Sequence, residues 1–166
     1  MLKPAAFFDR DGVINYEKDY VFKIKDFQWI EGAKEEIKFL NEKNYHVFVV
    51  SNQSGISRGI YNIEDVLSLH NYINSELKKI DAHIDEFFIS PYHPMFPNKF
   101  KKLIKLRKPD TGMLELAESR WSIEKKNSFM IGDKVTDIEC ANNYGIRGHL
   151  FNSGNLLEFI KRSENI

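Results

Sequence analysis

Short unbroken apolar runs alternate along the chain with segments in which apolar residues return every three or four positions. The runs at 5–8 (AAFF), 45–50 (YHVFVV), 84–89 (IDEFFI), 127–131 (NSFMI) and 148–151 have strand length. Runs without internal polar alternation suit strands buried on both faces of a parallel sheet. Between them, Ala33, Ile37 and Leu40 mark an amphipathic helix over 31–43. Val66, Leu69, Ile73 and Leu77 mark a second that runs to about Lys79, with Asn62 as its cap and Glu64 and Asp65 in its first turn. A third runs through Met113, Leu114, Leu116 and Ala117 with Thr111 as cap. A fourth covers 135–143 and stops at Gly145, and a last one starts at Leu156. Strands alternating with helices predict an α/β fold, a parallel sheet with helices on both faces, as one domain over 1–166.

Two segments break the alternation. Residues 14–30 are aromatic and charged, and 20–22 with 27–29 could pair as a small hairpin over one end of the sheet. Residues 90–106 hold Pro91, Pro94 and Pro97 and a lysine-rich stretch, too long for an ordinary connection. Lys99, Lys101, Lys102 and Lys105 read as a solvated face. His70 falls among the apolar positions of its helix and reads as a packed histidine.

Composition narrows the class. Lysine plus arginine equals aspartate plus glutamate, so no basic excess points to nucleic acid. No apolar stretch has membrane-spanning length, and the N-terminus has no signal-like region. A single cysteine, Cys140, agrees with a reducing compartment. A cytoplasmic monomer is expected, acting on a small phosphorylated molecule, with no nucleic-acid or membrane partner.

The chemistry is concentrated where strands end. Asp9 and Asp11 follow the first strand, Ser51 ends the second, and Asp133 follows the fourth; Lys108 comes from the loop before the third helix. Carboxylates at such close quarters call for a cation or a shared proton, and a hard ion such as Mg²⁺ fits. Asp9 can accept a phosphoryl group, and Asp11 can protonate the leaving oxygen and later activate water. Asp133 with Asp9 can hold the metal, while Ser51 and Lys108 balance charge on the transferring oxygens. A receiver domain uses a similar set, but its phospho-accepting aspartate would follow the third strand, where Ser90-Pro91 stands. A nucleotide-binding kinase would need a Walker-type glycine loop, and the chain has none.

Four stretches, FFDRDGVIN at 7–15, VVSNQSGISRG at 49–59, RKPDTGML at 107–114 and MIGDKVTD at 130–137, resemble the haloacid dehalogenase-like phosphatases. The resemblance is strongest to the branch with D-glycero-D-manno-heptose 1,7-bisphosphate and histidinol phosphatases. It implies a three-layer Rossmann-like fold, and the short gaps from Asp9 to Ser51 and from Ser51 to Lys108 leave no room for a large cap domain. It makes Asp9 the nucleophile, Asp11 the general acid/base, Ser51 and Lys108 the phosphate binders, and Asp133 a Mg²⁺ ligand beside Asp9 and the Asp11 carbonyl. It further implies substrate contacts at Glu17, Lys18, Asp19, Tyr20, Asn52, Gln53, Ser54, Arg107 and Lys134, with Asp137 in support. Gln53, Arg58, Arg107 and the aromatics near Tyr20 are the specificity candidates.

The best guess for the substrate is the heptose bisphosphate. Histidinol phosphate, a nucleic-acid 3′-phosphate and a non-catalytic binding role are the alternatives. Many members carry a zinc site in the long loop. Here its positions hold Ser90, Tyr92, Ile104 and Leu106, leaving only His93, so no structural zinc is expected. Ile104 and Leu106 suggest that apolar packing holds the loop instead.

Overall fold

The computed structural model describes residues 1–96 and 99–166, so Pro97 and Asn98 of the proline-rich loop lie outside the described residues. Five parallel strands form one sheet: β1 (Ala5–Phe8), β2 (His46–Asn52), β3 (Glu86–Ser90), β4 (Phe129–Gly132) and β5 (Arg147–Leu150). Their order is β3-β2-β1-β4-β5. The helices are α1 (Ala33–Glu42), α2 (Ile63–Lys78), α3 (Gly112–Arg120), α4 (Val135–Tyr144) and α5 (Leu156–Glu164). Among the described residues there is no large cap domain.

The unalternated strands divide by residue parity. Ala6 and Phe8 of β1, with Val47 and Val49 of β2, pack against Ile37 and Leu40 of α1, Leu69, Ile73 and Leu77 of α2, and Leu156 and Ile160 of α5. Ala5 and Phe7, with Phe48 and Val50, face Met113, Leu114 and Ala117 of α3 and Cys140 and Ala141 of α4. Each fully buried Leu, Ile or Phe contributes roughly 1.5–3 kcal/mol, so both faces must be covered. Three layers are the consequence.

The chain moves outward from β1 to β2 and β3, then returns to place β4 on the other side of β1. The order therefore reverses between β1 and β4, and in open α/β sheets ligands bind beyond the strand ends at such a reversal. Asp9 leaves β1 there and Asp133 leaves β4. The Asp9 amide donates to the Ile131 carbonyl at 2.9 Å, which fixes one strand end against the other.

Three expectations are corrected. The hairpin over 20–29 is absent: a 3-10 turn at Ile24–Asp26 takes its place, and only Asn15 and Trp29 form an antiparallel bridge. Tertiary stacking outcompetes strand pairing, because Phe22 lies on Tyr61 at 5.0 Å and Phe27 meets Trp29 and Tyr72 edge-on. Thr111 occupies the N-cap position of α3, but its hydroxyl donates to the Glu115 carboxylate at 2.6 Å instead of accepting from the helix backbone. Ile104 is exposed; only Leu106 packs inward from the 3-10 helix Lys101–Leu106. At three residues per turn, Ile104 is turned away from the face Leu106 uses.

Polar contacts hold the long loop. The Ser57 hydroxyl donates to the Pro91 carbonyl, and Arg107 Nη1 donates to the Tyr92 carbonyl at 3.2 Å. His93 lies between the Met95 amide and the Arg58 guanidinium, which is 3.1 Å from its Nε2.

Candidate active site

Asp9 is buried at the end of β1. Its Oδ1 accepts from the Arg10 amide and from Lys108 Nζ, both at 2.9 Å. Lys108 is also buried and reaches the Val50 carbonyl at 2.8 Å and Asp137 Oδ1 at 2.7 Å. Asn52 sets the lysine's backbone: its Oδ1 accepts from the Lys108 amide at 3.0 Å and its Nδ2 donates to the Lys108 carbonyl at 3.2 Å. The end of β1, the backbone of β2 and the first turn of α4 thus converge on a single ammonium.

Asp9, Asp133 and Asp137 each offer a carboxylate oxygen within 4.8 Å of the others. Burial pushes the Asp9 carboxyl up to about 7 against the pull of Lys108, with Asp137 and Asp11 adding to the rise. Burial raises Asp133 as well, and its Oδ1 is a buried oxygen without a partner. Burial pulls on the Lys108 ammonium, but Asp9 and Asp137 outweigh it and hold the pKa above the usual lysine range. Three carboxylates against one ammonium leave a deficit of positive charge, which a divalent cation on oxygen ligands would fill. Asp137 is tied to Lys108 and accepts from the Lys134 amide at 3.0 Å, so Asp9 and Asp133 are the freer donors.

Two glycines make room for this cluster. Gly12 has φ +86°, and a Cβ there would stand 2.3 Å from Asp133 Oδ2. A Cβ on Gly132 would stand 2.0 Å from the Asp137 Cβ. Only glycine permits the carboxylates to approach the backbone this closely.

The Asp11 carboxylate is separate from the acidic cluster. It accepts from Arg10 Nη2 at 3.1 Å, Asn15 Nδ2 at 2.9 Å and Gln53 Nε2 at 3.3 Å. The buried Ser51 hydroxyl accepts from Gln53 Nε2 at 2.7 Å.

A cavity of about 390 Å³ opens above Asp9, Asp11 and Lys108. Glu17, Lys18, Asp19 and Tyr20 line it on one side, Asn52, Gln53, Ser54 and Arg107 on the other, with Lys134 at the rim. Every substrate-contact position expected from the sequence lies on this wall. Lys134 Nζ and Glu17 Oε1, 3.2 Å apart, join the rim to the side formed by 17–20. Ser51 lies beneath the wall, and Asp133 lines a neighbouring cavity that shares Glu17. Arg58 is not part of the wall; its guanidinium lies over the Phe96 ring, 5.5 Å from the centroid. Tyr61 and Thr136 line the cavity and carried no signal in the sequence, since each is an ordinary residue in a loop or a first helical turn. Asn15 also went unrecognised, because an asparagine after a strand reads equally well as a turn.

The family model described as polynucleotide kinase 3 phosphatase matches residues 4–153. A D-glycero-beta-D-manno-heptose-1,7-bisphosphate 7-phosphatase from Rhodopseudomonas palustris is 38% identical over 96% of this chain and 89% of its own. A D-glycero-alpha-D-manno-heptose-1,7-bisphosphate 7-phosphatase from Campylobacter jejuni is 38% identical over 88% of this chain and 80% of its own. Among solved structures, the D,D-heptose 1,7-bisphosphate phosphatase of B. bronchiseptica, in complex with magnesium and phosphate, shares the fold. Its TM-score is 0.81, at 24% identity over 96% of this chain and 86% of that one.

Proposed function

Because the chain belongs to the haloacid dehalogenase-like phosphatases, in the family that the polynucleotide kinase 3 phosphatase model describes, we propose that it is a Mg²⁺-dependent heptose-bisphosphate phosphatase. Its reaction would remove the 7-phosphate of a D-glycero-D-manno-heptose 1,7-bisphosphate. The observation that carries this reading is the buried Asp9, held by Lys108 on one side and flanked by Asp133 on the other, at the floor of a cavity of sugar-phosphate size. Relatives named for both anomers match, at 38% and 41% identity for the beta form and 38% and 36% for the alpha form, so the assay carries both anomers.

Asp9 attacks phosphorus. Its carboxylate oxygen forms the new O–P bond while the bond to the sugar oxygen breaks, and the electron pair leaves with that oxygen. Asp11 gives its proton to the departing oxygen, then as carboxylate takes a proton from the water that cleaves the aspartyl-phosphate. Lys108 and Ser51 face the charge that gathers on the phosphoryl oxygens. Asp9 and Asp133, with the Asp11 carbonyl, would hold Mg²⁺, which when bound neutralises phosphate and carboxylate charge. Arg107, Lys18 and Lys134 supply cations along the wall for a second anionic group.

A second reading is a 3′-phosphatase for oligonucleotides. The exposed Lys99, Lys101, Lys102 and Lys105, adjoining Arg107, favour it. The test is phosphate release with Mg²⁺ from both heptose bisphosphate anomers, histidinol phosphate, other sugar phosphates and a 3′-phosphorylated oligonucleotide, with Asp9→Asn alongside. One heptose bisphosphate should dominate, and Asp9→Asn should abolish its hydrolysis. Release from the oligonucleotide alone would favour the second reading, and release no greater than that of Asp9→Asn on every substrate would overturn both.

A further inference from the structure

Arg10 stands between the two aspartates of the site and is fully buried, yet the reaction above gives it no task. Burying a guanidinium costs several kcal/mol unless a carboxylate and well-made hydrogen bonds compensate. Its Nη2 donates to both oxygens of Asp11 at 3.1 Å and to the Val21 carbonyl at 2.5 Å. Its Nη1 lies 3.5 Å from Nε2 of His70, whose ring is stacked on Phe87 at 4.2 Å. The guanidinium is thus clamped from below while it holds the Asp11 carboxyl and one residue of the pocket loop together.

A second link joins the same partners. Gln53 Nε2 reaches Asp11 Oδ2, and Gln53 Oε1 accepts from the Tyr61 hydroxyl at 2.5 Å. The Tyr61 ring is stacked on Phe22, 18° from parallel. Val21, itself on the cavity wall, and Phe22 directly follow Glu17, Lys18, Asp19 and Tyr20, which line the cavity from that side. Val21 is connected to Asp11 through Arg10 alone, and Phe22 through Tyr61 and Gln53.

We propose that Arg10 is a positioning residue that, together with the Tyr61–Gln53 link, couples the pocket loop 17–22 to the Asp11 carboxyl, so that the proton donor is aimed at the leaving oxygen only while that loop is seated. The proposal rests on the reading of Asp11 as general acid. A substrate that engages the loop then receives proton transfer, and one too small to reach it receives only Asp9 and Lys108.

Leaving-group dependence tests this, because a sugar alkoxide must be protonated as it departs and p-nitrophenolate need not be. kcat/KM reports the steps up to aspartyl-phosphate formation. It is measured for p-nitrophenyl phosphate and for the sugar phosphate that the wild type hydrolyses fastest. Arg10→Lys should lower kcat/KM about 100-fold for the sugar phosphate and no more than about threefold for p-nitrophenyl phosphate, the scale of a lost general acid. Asp11→Asn should show the same selectivity, and adding Arg10→Lys to it should cost no more than about a further twofold, since both changes act on one proton transfer. Tyr61→Phe, which keeps the stack on Phe22 and removes only the hydroxyl, should show a smaller loss of the same kind; it decides the matter if Arg10→Lys does not fold. Equal losses on both substrates, or full additivity with Asp11→Asn, would make Arg10 a structural filler and overturn the proposal. Equal losses for Asp11→Asn itself would overturn its role as proton donor, and the coupling with it.

Discussion

Lys108 Nζ lies 2.9 Å from Asp9 Oδ1, across 99 residues of chain, and both groups are buried. A buried ion pair stabilises weakly as a pair but costs heavily when one partner is removed. Lys108→Ala would leave Asp9 and Asp137 facing each other with no ammonium between them. It should lower stability by about 3–5 kcal/mol in urea unfolding. It should also lower kcat at least ~100-fold through the lost charge at the phosphoryl oxygens. Lys108→Ala with Asp137→Asn should recover part of the stability and none of the rate, which separates the structural contribution from the chemical one.

The sequence already carried most of this arrangement. Asp9, Asp133 and Ser51 could be read because each closes an apolar run of strand length, and strand ends on one side of a parallel sheet converge whatever lies between them. Lys108 could be read only from its neighbours Arg107 and Pro109, and its two carboxylate partners came with the tertiary fold. The cavity wall was legible through resemblance alone. Asn52 is the instructive case: it lines the cavity as expected, but both ends of its amide hold the Lys108 backbone, an assignment that depends on a contact 56 residues away. The hairpin misled because Tyr20, Phe22, Phe27 and Trp29 have strand propensity, while Tyr61, on which Tyr20 and Phe22 pack, and Tyr72, which Phe27 meets, lie outside any local window.

Gly12 should tolerate no side chain. An alanine there would have to hold φ near +86° and would press its methyl into Asp133. The backbone cost is about 1 kcal/mol. The displaced carboxylate should raise the Mg²⁺ concentration for half-maximal phosphate release about tenfold or more, as supporting changes at metal sites do. Magnesium titration of Gly12→Ala beside wild type checks it; an unchanged requirement would remove Asp133 from the ligand set.

Metal removal should affect activity and stability through the acidic cluster only. EDTA should abolish phosphate release and Mg²⁺ should restore it. Magnesium at a hundred times its Kd should add about 2.7 kcal/mol to the folded state. A zinc-selective chelator should leave the melting temperature unchanged, because Ser57 and Arg107 hold the carbonyls of Pro91 and Tyr92 and Leu106 packs against the core. Purified protein carrying one zinc per chain would contradict this.

Two buried groups away from the phosphate chemistry should give stability opposite slopes with pH. Burial, with the nearby Arg10 charge, lowers His70 to about 3. The native histidine is then neutral, while the unfolded one takes a proton below about 6.5, so stability falls as pH drops from about 6.5 towards 3. Between pH 7 and pH 4 the loss is on the order of 3 kcal/mol. Glu36 is fully buried on α1, neither carboxyl oxygen has a partner, and burial raises it to about 8 against the pull of Lys161. The native carboxyl keeps its proton where the unfolded one has lost it, so stability falls as pH rises from about 4.5 through 8, again by about 3 kcal/mol by neutrality. Urea unfolding from pH 4 to pH 9 should therefore show a maximum between pH 5 and about 6.5 from these two groups. Glu36→Gln should make the alkaline limb shallower and leave the acid limb in place, the raised Asp9 carboxyl keeping part of the alkaline fall. His70→Gln, which keeps an acceptor towards Arg10, should flatten the acid limb alone; a variant that flattens both would mean the two groups are not the independent sources of the two slopes.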